Sequence, residues 1–305
     1  MRQLSVRHRL TRGLAFGLAL WIASPASAQD RPRVVAVNQV LHEFAEHLLA
    51  SAAEVVFPVP EGVDPSFWRP SIADISQIQS ADLILLNGAG FATWIDRVSL
   101  PRSRVVNTSA KIEDQFIVTE SITHSHGDGG EHSHEGLAAY TWLDPMLAIA
   151  QAEAIASASV ARGLVSAEKI APKRAALRAE LTALDATARE ALRNAQGVAM
   201  IATHPRYQYF GRRYALSITS LEWDAGAMPT EEELAELARF AEELDARVLI
   251  WEAEPPNGAL QAAEELGLTN VVFAPGASTS SSGSFTDTFA TAVADISNAL
   301  QNDTD

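Results

Sequence analysis

The sequence predicts an α/β protein with two lobes, each with a largely parallel sheet, joined by one long helix. Short apolar strands alternate with amphipathic helices before residue 107, and the same alternation returns after residue 196. This order is typical of parallel sheets. Residues 145–193, between the two alternating regions, have helical composition and few glycines or prolines. We therefore expect an N-terminal lobe over 29–143, linking helices over 144–195 and a C-terminal lobe over 196–305.

The N-terminus has the pattern of a secretory signal peptide over residues 1–28. Four arginines precede the apolar run Leu14–Ala23, and Ala26-Ser-Ala28 is typical of a cleavage site. A run of ten apolar residues is too short for a membrane anchor, which needs about 20. We expect secretion to the periplasm, with a mature start near Gln29 and no membrane anchor.

The first lobe is predicted from apolar runs separated by turn residues. Leu41, Phe44 and Leu48 recur at helical spacing, and Ser71 with Asp74 resembles a capping box. Prolines and a glycine predict a loop over 60–70. The predicted strands are 33–37, 54–58, 82–87 and 105–106, and the helices are 41–48, 71–80 and one starting at 91–95.

The linker and the second lobe continue the pattern. Pro145 can begin a helix, Gly163 is a break, and Leu177, Leu181 and Ala188 mark the apolar side of a helix over 167–193. The remaining elements are predicted as strands at 197–203, 216–221, 248–251 and 271–273, and helices at 207–214, from 230 onward and at 285–300.

Composition narrows the possible functions. The chain has 305 residues, no cysteine and a formal charge of −15, so disulfides and thiolate metal ligands are excluded. So acidic a chain argues against nucleic-acid binding. It carries no nucleophile elbow, His-Glu-x-x-His motif or phosphate loop. We therefore predict a protein that is not an enzyme.

A cluster of histidines predicts metal binding in the middle of the chain. The polar segment 124–134 is predicted to be a loop and contains two His-x-His pairs, His124 with His126 and His132 with His134. Neutral imidazoles suit Zn²⁺, Cu²⁺ and Ni²⁺. The glycines of the segment predict disorder without metal, and hence modest affinity. A flexible solvated insertion is the alternative interpretation.

Five motifs in order resemble the cluster A-I (TroA-like) substrate-binding proteins of zinc and manganese ABC importers. They are Pro60-Glu-Gly-Val-Asp-Pro65, Ala81-Asp-Leu-Ile-Leu-Leu-Asn-Gly-Ala-Gly90, Trp142-Leu-Asp-Pro145, His204 with Tyr209-Phe-Gly-Arg-Arg-Tyr214, and Glu254-Pro255. The resemblance covers essentially the whole chain after the signal peptide. It implies two α/β lobes on one helical backbone, with metal in the cleft between them.

The resemblance also implies four ligand positions, of which this sequence keeps one. His204 stands where the family has its third histidine. Ser66, Tyr140 and Ala274 stand where the family has two other histidines and an acidic residue. Because a tetrahedral zinc site needs about four donors, we expect no family-like zinc site in the cleft.

Other residues could supply donors. Glu252 and Glu254 follow a strand, at the edge where open α/β sheets bind ligands, and Tyr140 could offer a phenolate. Carboxylates with one histidine would suit Mn²⁺ or Fe, whereas the histidine-rich segment favours zinc. For each carboxylate, a solvated loop charge is the alternative.

These features predict a monomeric periplasmic receptor that captures a divalent metal, preferably zinc, for the membrane permease of an ABC importer. The alternative is a degenerate relative of the same fold, either an accessory metal-handling protein or a receptor that binds a metal chelate or an organic ligand. Aromatic residues near the predicted cleft, among them Phe67, Trp68 and Tyr140, leave that alternative open.

Overall fold

A computed structural model describes residues 31–124, 132–279 and 283–301, with only the backbone described at 120–124 and 132–135. The predicted signal peptide and His126 lie outside the described residues. None of the helices in this part of the chain is long and apolar enough to cross a membrane.

The first lobe contains a four-stranded parallel sheet with the strand order β2-β1-β3-β4. Buried Val and Leu side chains fill β1 and β3, as expected for strands covered on both faces. Its elements are β1 (Arg33–Ala36), α1 (Gln39–Leu49), β2 (Glu54–Val56), α2 (Ile72–Ser80), β3 (Leu83–Leu86) and β4 (Val105–Asn107). The predicted capping box between Ser71 and Asp74 is present at the start of α2.

Two predictions for this lobe are wrong. The helix expected to start at 91–95 is a short 3₁₀ turn, Thr93–Arg97. The sheet-forming part of the lobe does not end at β4, because an antiparallel hairpin follows, formed by β5 (Val118–His124) and β6 (His132–Leu137). The polar segment 124–134 is therefore not a loop throughout. Its two ends are paired strands, with His124 opposite His132 and His134 opposite Ile122.

Two helices connect the sheets. Helix α3 (Pro145–Ala161) begins with Pro145 in its first turn, behind the N-cap Asp144. Helix α4 (Ala167–Ala191) is one continuous helix of 25 residues that packs on α1 and α3 of the first half and on the C-terminal helix. This confirms the single long helix of the predicted fold class.

The second lobe contains another parallel sheet, with the strand order β10-β9-β7-β8. Its elements are β7 (Ala199–Ala202), α5 (Gln208–Tyr214), β8 (Ser217–Ser220), α6 (Glu231–Leu244), β9 (Val248–Trp251), α7 (Asn257–Glu265), β10 (Thr269–Val272) and α8 (Phe285–Gln301). Helix α7 was not predicted from the sequence.

Charged groups tie α4 to the second lobe. Both oxygens of the Asp185 carboxylate, on α4, accept hydrogen bonds from the Arg213 guanidinium on α5, at 2.8 and 2.7 Å. Burial alone would raise the pKa of Asp185, but its hydrogen bonds from Arg213 and Arg189 hold that pKa below its ordinary value. The carboxylate is therefore kept ionised, and the long helix is held in a fixed position against α5.

Direct contacts also join the two halves beside the cleft. The buried indole Nε1 of Trp142 donates to the carbonyl of Pro275 at 2.7 Å. The backbone N–H of Gln39, at the start of α1, donates to the carbonyl of Ala277 at 2.8 Å. The segment that follows β10 is thus attached to the first lobe.

Candidate metal site in the cleft

The cleft between the two sheets contains a cavity of about 1730 Å³. All four positions that the family resemblance assigns to metal ligands line this cavity, namely Ser66, Tyr140, His204 and Ala274. His204 and Ala274 come just after β7 and β10, and Ser66 lies in the loop that follows β2. The topology therefore places these three positions beyond the carboxyl ends of strands, where open α/β sheets bind ligands.

His204 is held by the backbone at the end of β7. Its Nδ1 lies 2.9 Å from the carbonyl oxygen of Trp223, and the backbone N–H of Trp223 donates to the carbonyl of Thr203 at 2.8 Å. Because a carbonyl can only accept, Nδ1 carries a proton and the lone pair of the neutral ring is on Nε2. A histidine anchored in this way is oriented as metal-ligating histidines are.

Ser66 uses its hydroxyl inside its own loop. The Ser66 hydroxyl and backbone N–H both donate to Oδ1 of Asp64, at 2.6 and 2.8 Å. This local bond fixes the Asp64 carboxylate and leaves Oδ2 pointing to the second lobe. A serine at this position therefore positions a carboxylate toward the cleft.

Tyr140 is a buried phenol. Its ring packs against Phe91 and Trp142, with ring centroids 5.5 and 4.8 Å away. Burial raises the pKa of the Tyr140 hydroxyl well above its ordinary value, although the Arg206 guanidinium opposes the shift. The predicted phenolate ligand is therefore unfavourable, and Tyr140 enters the cleft as a neutral hydroxyl.

Glu252 and Glu254 differ sharply in their surroundings, although both line the cavity. Glu254 is exposed, whereas the Glu252 side chain is only 12% exposed and its Oε2 lies 3.9 Å from Nδ1 of His204. Burial raises the pKa of Glu252, against the opposing effect of Arg206.

The cleft also contains a cation, the guanidinium of Arg206, that the sequence analysis missed. Its Nη2 donates to Oδ2 of Asp64 at 2.8 Å, and its Nε donates to Oε1 of Glu252 at 3.1 Å. The group lies over the Tyr140 ring, 4.6 Å from the centroid. The signals available in the sequence were an arginine two residues after His204 and an acid two residues before Ser66.

Other predicted donors do not join this group. Within the parts of the chain that the structure describes, no three His, Asp or Glu side chains are arranged to hold a metal ion. In the histidine-rich segment, the backbone places His124 opposite His132. His134 lies two positions further along the same strand as His132, and His126 lies outside the described residues.

The architecture defines a solute-binding receptor of the class whose two α/β lobes share a long helical backbone around a ligand cleft. The chain belongs to the family of the zinc-uptake complex component A, periplasmic, whose model matches residues 34–302.

Similar proteins agree with this assignment. The high-affinity zinc uptake system protein ZnuA of Bacillus subtilis strain 168 is 26% identical over 237 residues, which cover 75% of this chain and 73% of that protein. The zinc-binding protein AdcA of Streptococcus pyogenes serotype M3 is 22% identical over 274 residues. The matched region covers 85% of this chain but only 53% of the length of that relative.

A solved structure shares the fold. The Zn(II)-bound ZnuA-like domain of Streptococcus pneumoniae AdcA superposes with a TM-score of 0.73 at 18% identity, covering 88% of this chain and 98% of that domain. This comparison confirms the predicted fold class, and the family model over residues 34–302 confirms the predicted family.

Proposed function

We propose that this protein is the periplasmic receptor of an ABC importer and that it captures a divalent metal ion, with zinc favoured over manganese or iron. The observation that carries the proposal is the setting of His204. A histidine at the carboxyl end of β7 that donates its Nδ1–H to a backbone carbonyl has the arrangement of metal-ligating histidines, whose other ring nitrogen binds the ion. Membership of a zinc-uptake family supports the same cargo.

The hairpin of β5 and β6, whose sequence contains the four clustered histidines and which we call the histidine hairpin, supplies further donors in this proposal. His124, His126, His132 and His134 collect the ion, and the pairing of His124 with His132 at facing positions of the β5-β6 ladder supports a shared site. Because the cleft lacks three of the four family ligands, the hairpin provides most of the metal capacity. Tyr140, Glu252 and Glu254 are secondary candidates.

The remaining parts of the proposal concern delivery. The chain is exported by the signal peptide over 1–28 and acts as a monomer. It presents lobes 29–143 and 196–305, linked by 144–195, to a membrane permease. In this proposal the chain acts as a receptor and not as an enzyme.

A second candidate function is binding of a metal chelate or an organic ligand. The size of the cavity, about 1730 Å³, and its aromatic lining favour this alternative, since a single ion needs far less space. The Phe, Trp and Tyr side chains that line the cavity are Phe67, Trp68, Phe91, Trp94, Tyr140 and Phe285.

Equilibrium dialysis of the purified protein against Zn²⁺, Mn²⁺ and Fe²⁺, followed by metal analysis, tests the proposal. We expect at least one equivalent of zinc to be retained. Retention of no metal, together with an organic molecule or chelate found by native mass spectrometry of freshly isolated protein, would favour the second candidate.

A further inference from the structure

The Arg206 guanidinium lies between one carboxylate of each lobe. Its side chain is only 9% exposed, and it pairs with Asp64 of the first lobe and Glu252 of the second at 2.8 and 3.1 Å. The rings of Tyr140 and Phe67 lie 4.6 and 5.9 Å from its central carbon. A tethered cation is therefore already bound in the middle of the cleft.

The charges of this group do not balance. When ionised, Asp64 and Glu252 together carry two negative charges, and the guanidinium offsets only one of them. The second negative charge has no cation to offset it within this group, and the Glu252 side chain is only 12% exposed. A divalent ion in the same place would neutralise both carboxylates, which favours it over any monovalent replacement.

The groups around the guanidinium are themselves metal donors. Carboxylate oxygens come from Asp64 and Glu252. The His204 ring lies beside Glu252, with its protonated Nδ1 3.9 Å from Glu252 Oε2, and only its other nitrogen, Nε2, could bind an ion. The buried Tyr140 hydroxyl, on a residue that is 2% exposed, also lines the cavity and has no hydrogen-bond partner of normal geometry among the described residues. One imidazole with carboxylate oxygens is a donor set that suits Zn²⁺ or Mn²⁺.

We propose that Arg206 occupies the place of the cargo ion in the metal-free receptor. Asp64, His204 and Glu252, which are not arranged to hold an ion while the guanidinium lies between the carboxylates, form a divalent-metal site when it leaves. The identity of the cargo rests on the proposed function, but the site does not depend on the histidine hairpin. Arg206 thus sets the affinity and the charge selectivity of the cleft.

Metal and guanidinium exclude each other by simple electrostatics. Two cations a few ångströms apart in a partly buried site repel each other strongly, because little solvent screens them. Metal therefore binds only the fraction of molecules in which Arg206 has moved out, and the apparent affinity falls by that fraction. Removing the tethered cation should raise the apparent affinity of the cleft by at least about tenfold if the guanidinium is in place nine-tenths of the time.

The test uses a parent protein in which His124, His126, His132 and His134 are all changed to Gln, so that only the cleft is measured. Arg206→Gln is compared with this parent by isothermal titration with ZnCl₂ and by the shift in Tm that Zn²⁺ produces. We expect one zinc site, at least about tenfold tighter than in the parent, together with a rise in Tm on adding zinc.

Three controls define the site. Arg206→Lys keeps a tethered cation and should not gain zinc binding. Arg212→Gln removes an arginine whose guanidinium bonds the Gln115 carbonyl outside the cavity, and it should behave like the parent. Adding His204→Gln to Arg206→Gln should abolish the gain, because a site of two carboxylates alone lacks the imidazole donor.

Equal zinc affinity in Arg206→Gln and in its parent would overturn the inference. If Arg206→Gln is unstable without metal, recovery of its folded far-UV spectrum on adding Zn²⁺ is the expected result, and no recovery counts against the site. Failure of the intact protein to bind any metal would contradict the proposed function instead. A zinc site gained in Arg206→Gln would still support the inference in that case.

Discussion

Nη2 of Arg206 lies 2.8 Å from Oδ2 of Asp64, a residue 142 positions earlier in the chain and on the opposite lobe. The same guanidinium donates through Nε to Glu252 on its own lobe. The two lobes are therefore linked across the cleft by a side chain, at the level where the family resemblance implies a metal ion. The partners differ in burial, since the Asp64 side chain is 34% exposed and that of Glu252 is 12% exposed.

This difference predicts unequal losses of stability. Glu252→Ala removes one partner of a buried charge pair, together with its hydrogen bond from Arg206, and should lower the free energy of unfolding by about 3 kcal/mol. Asp64→Ala removes a partner that is partly solvated and should cost about 1 kcal/mol. Urea unfolding followed by circular dichroism measures both values.

Glu254→Ala is the matched control, because Glu254 is exposed at the same cavity. Its loss should change stability by less than about 0.5 kcal/mol. A cost for Asp64→Ala equal to or larger than that for Glu252→Ala would show that solvent does not screen the pair between the lobes as its exposure implies.

The raised pKa of Glu252 predicts the sign of a pH effect. Burial raises this pKa above its ordinary value of 4.5, against the opposing influence of Arg206; Asp64 and His204 also face this carboxyl group. Between the unfolded and folded pKa values, the native state holds more protons than the unfolded state. The contribution of Glu252 to the free energy of unfolding therefore falls as pH rises through that window.

The measurement is the difference in free energy of unfolding between the wild type and Glu252→Gln, followed upward from about pH 4. We expect the advantage of the wild type to shrink as pH rises and then to level off above the folded pKa. A wild-type advantage that grows with pH would mean that Arg206 outweighs burial.

Most of the fold could be predicted because its signals are local. The strands β1, β3, β7 and β9 are continuous apolar runs, and the stretch that forms α4 is free of glycine, so period and composition identify them. Helix α7 was missed because Gly258 in its first turn and a short apolar pattern give a weak signal. The hairpin was missed because the paired residues nearest its turn include polar histidines and serines. On composition alone, such residues favour a loop.

The site was only partly predictable, for a physical reason. The position of His204 follows from the strand before it, and its anchor lies only 19 residues away. The charge partners of Arg206 are 142 and 46 residues away. No periodicity or spacing links residues so far apart, and only the packing of the two lobes brings them together.

The histidine hairpin gives a prediction that separates metal capacity from stability. Deleting residues 124–134 should remove most of the zinc bound by the intact protein. Tm should be nearly unchanged, because the base of the hairpin stays attached through the N–H of Ile117, which donates to the Tyr209 hydroxyl at 3.2 Å. Titration calorimetry with ZnCl₂ and a thermal melt without metal measure the two quantities.

His47→Gln is a suitable control, since His47 is an exposed histidine on α1 and its loss should leave the number of zinc sites unchanged. If the deletion protein binds the same number of zinc ions as the intact chain, the hairpin is not a metal collector. The zinc would then have to be bound elsewhere in the chain.

The last prediction concerns the three family ligands that this chain lacks. Ser66, Tyr140 and Ala274 line one cavity with His204, so Ser66→His, Tyr140→His and Ala274→Asp together should complete four donors for zinc. The structure adds a condition. Arg206 lies 4.6 Å above the Tyr140 ring, so the triple variant would place its new imidazoles beside a fixed positive charge.

We therefore expect the triple variant alone to bind zinc weakly, and the triple variant with Arg206→Ala to bind at least about a hundredfold more tightly, a difference of about 2.8 kcal/mol. Competition with a chromogenic zinc chelator measures both affinities. Arg206→Ala with only Ser66→His is the control, because it removes the guanidinium without completing four donors. Tight binding by the triple variant with Arg206 retained would show that the guanidinium leaves the cleft at little cost. That result would contradict the assignment of Arg206 as the group that sets the affinity of this cleft.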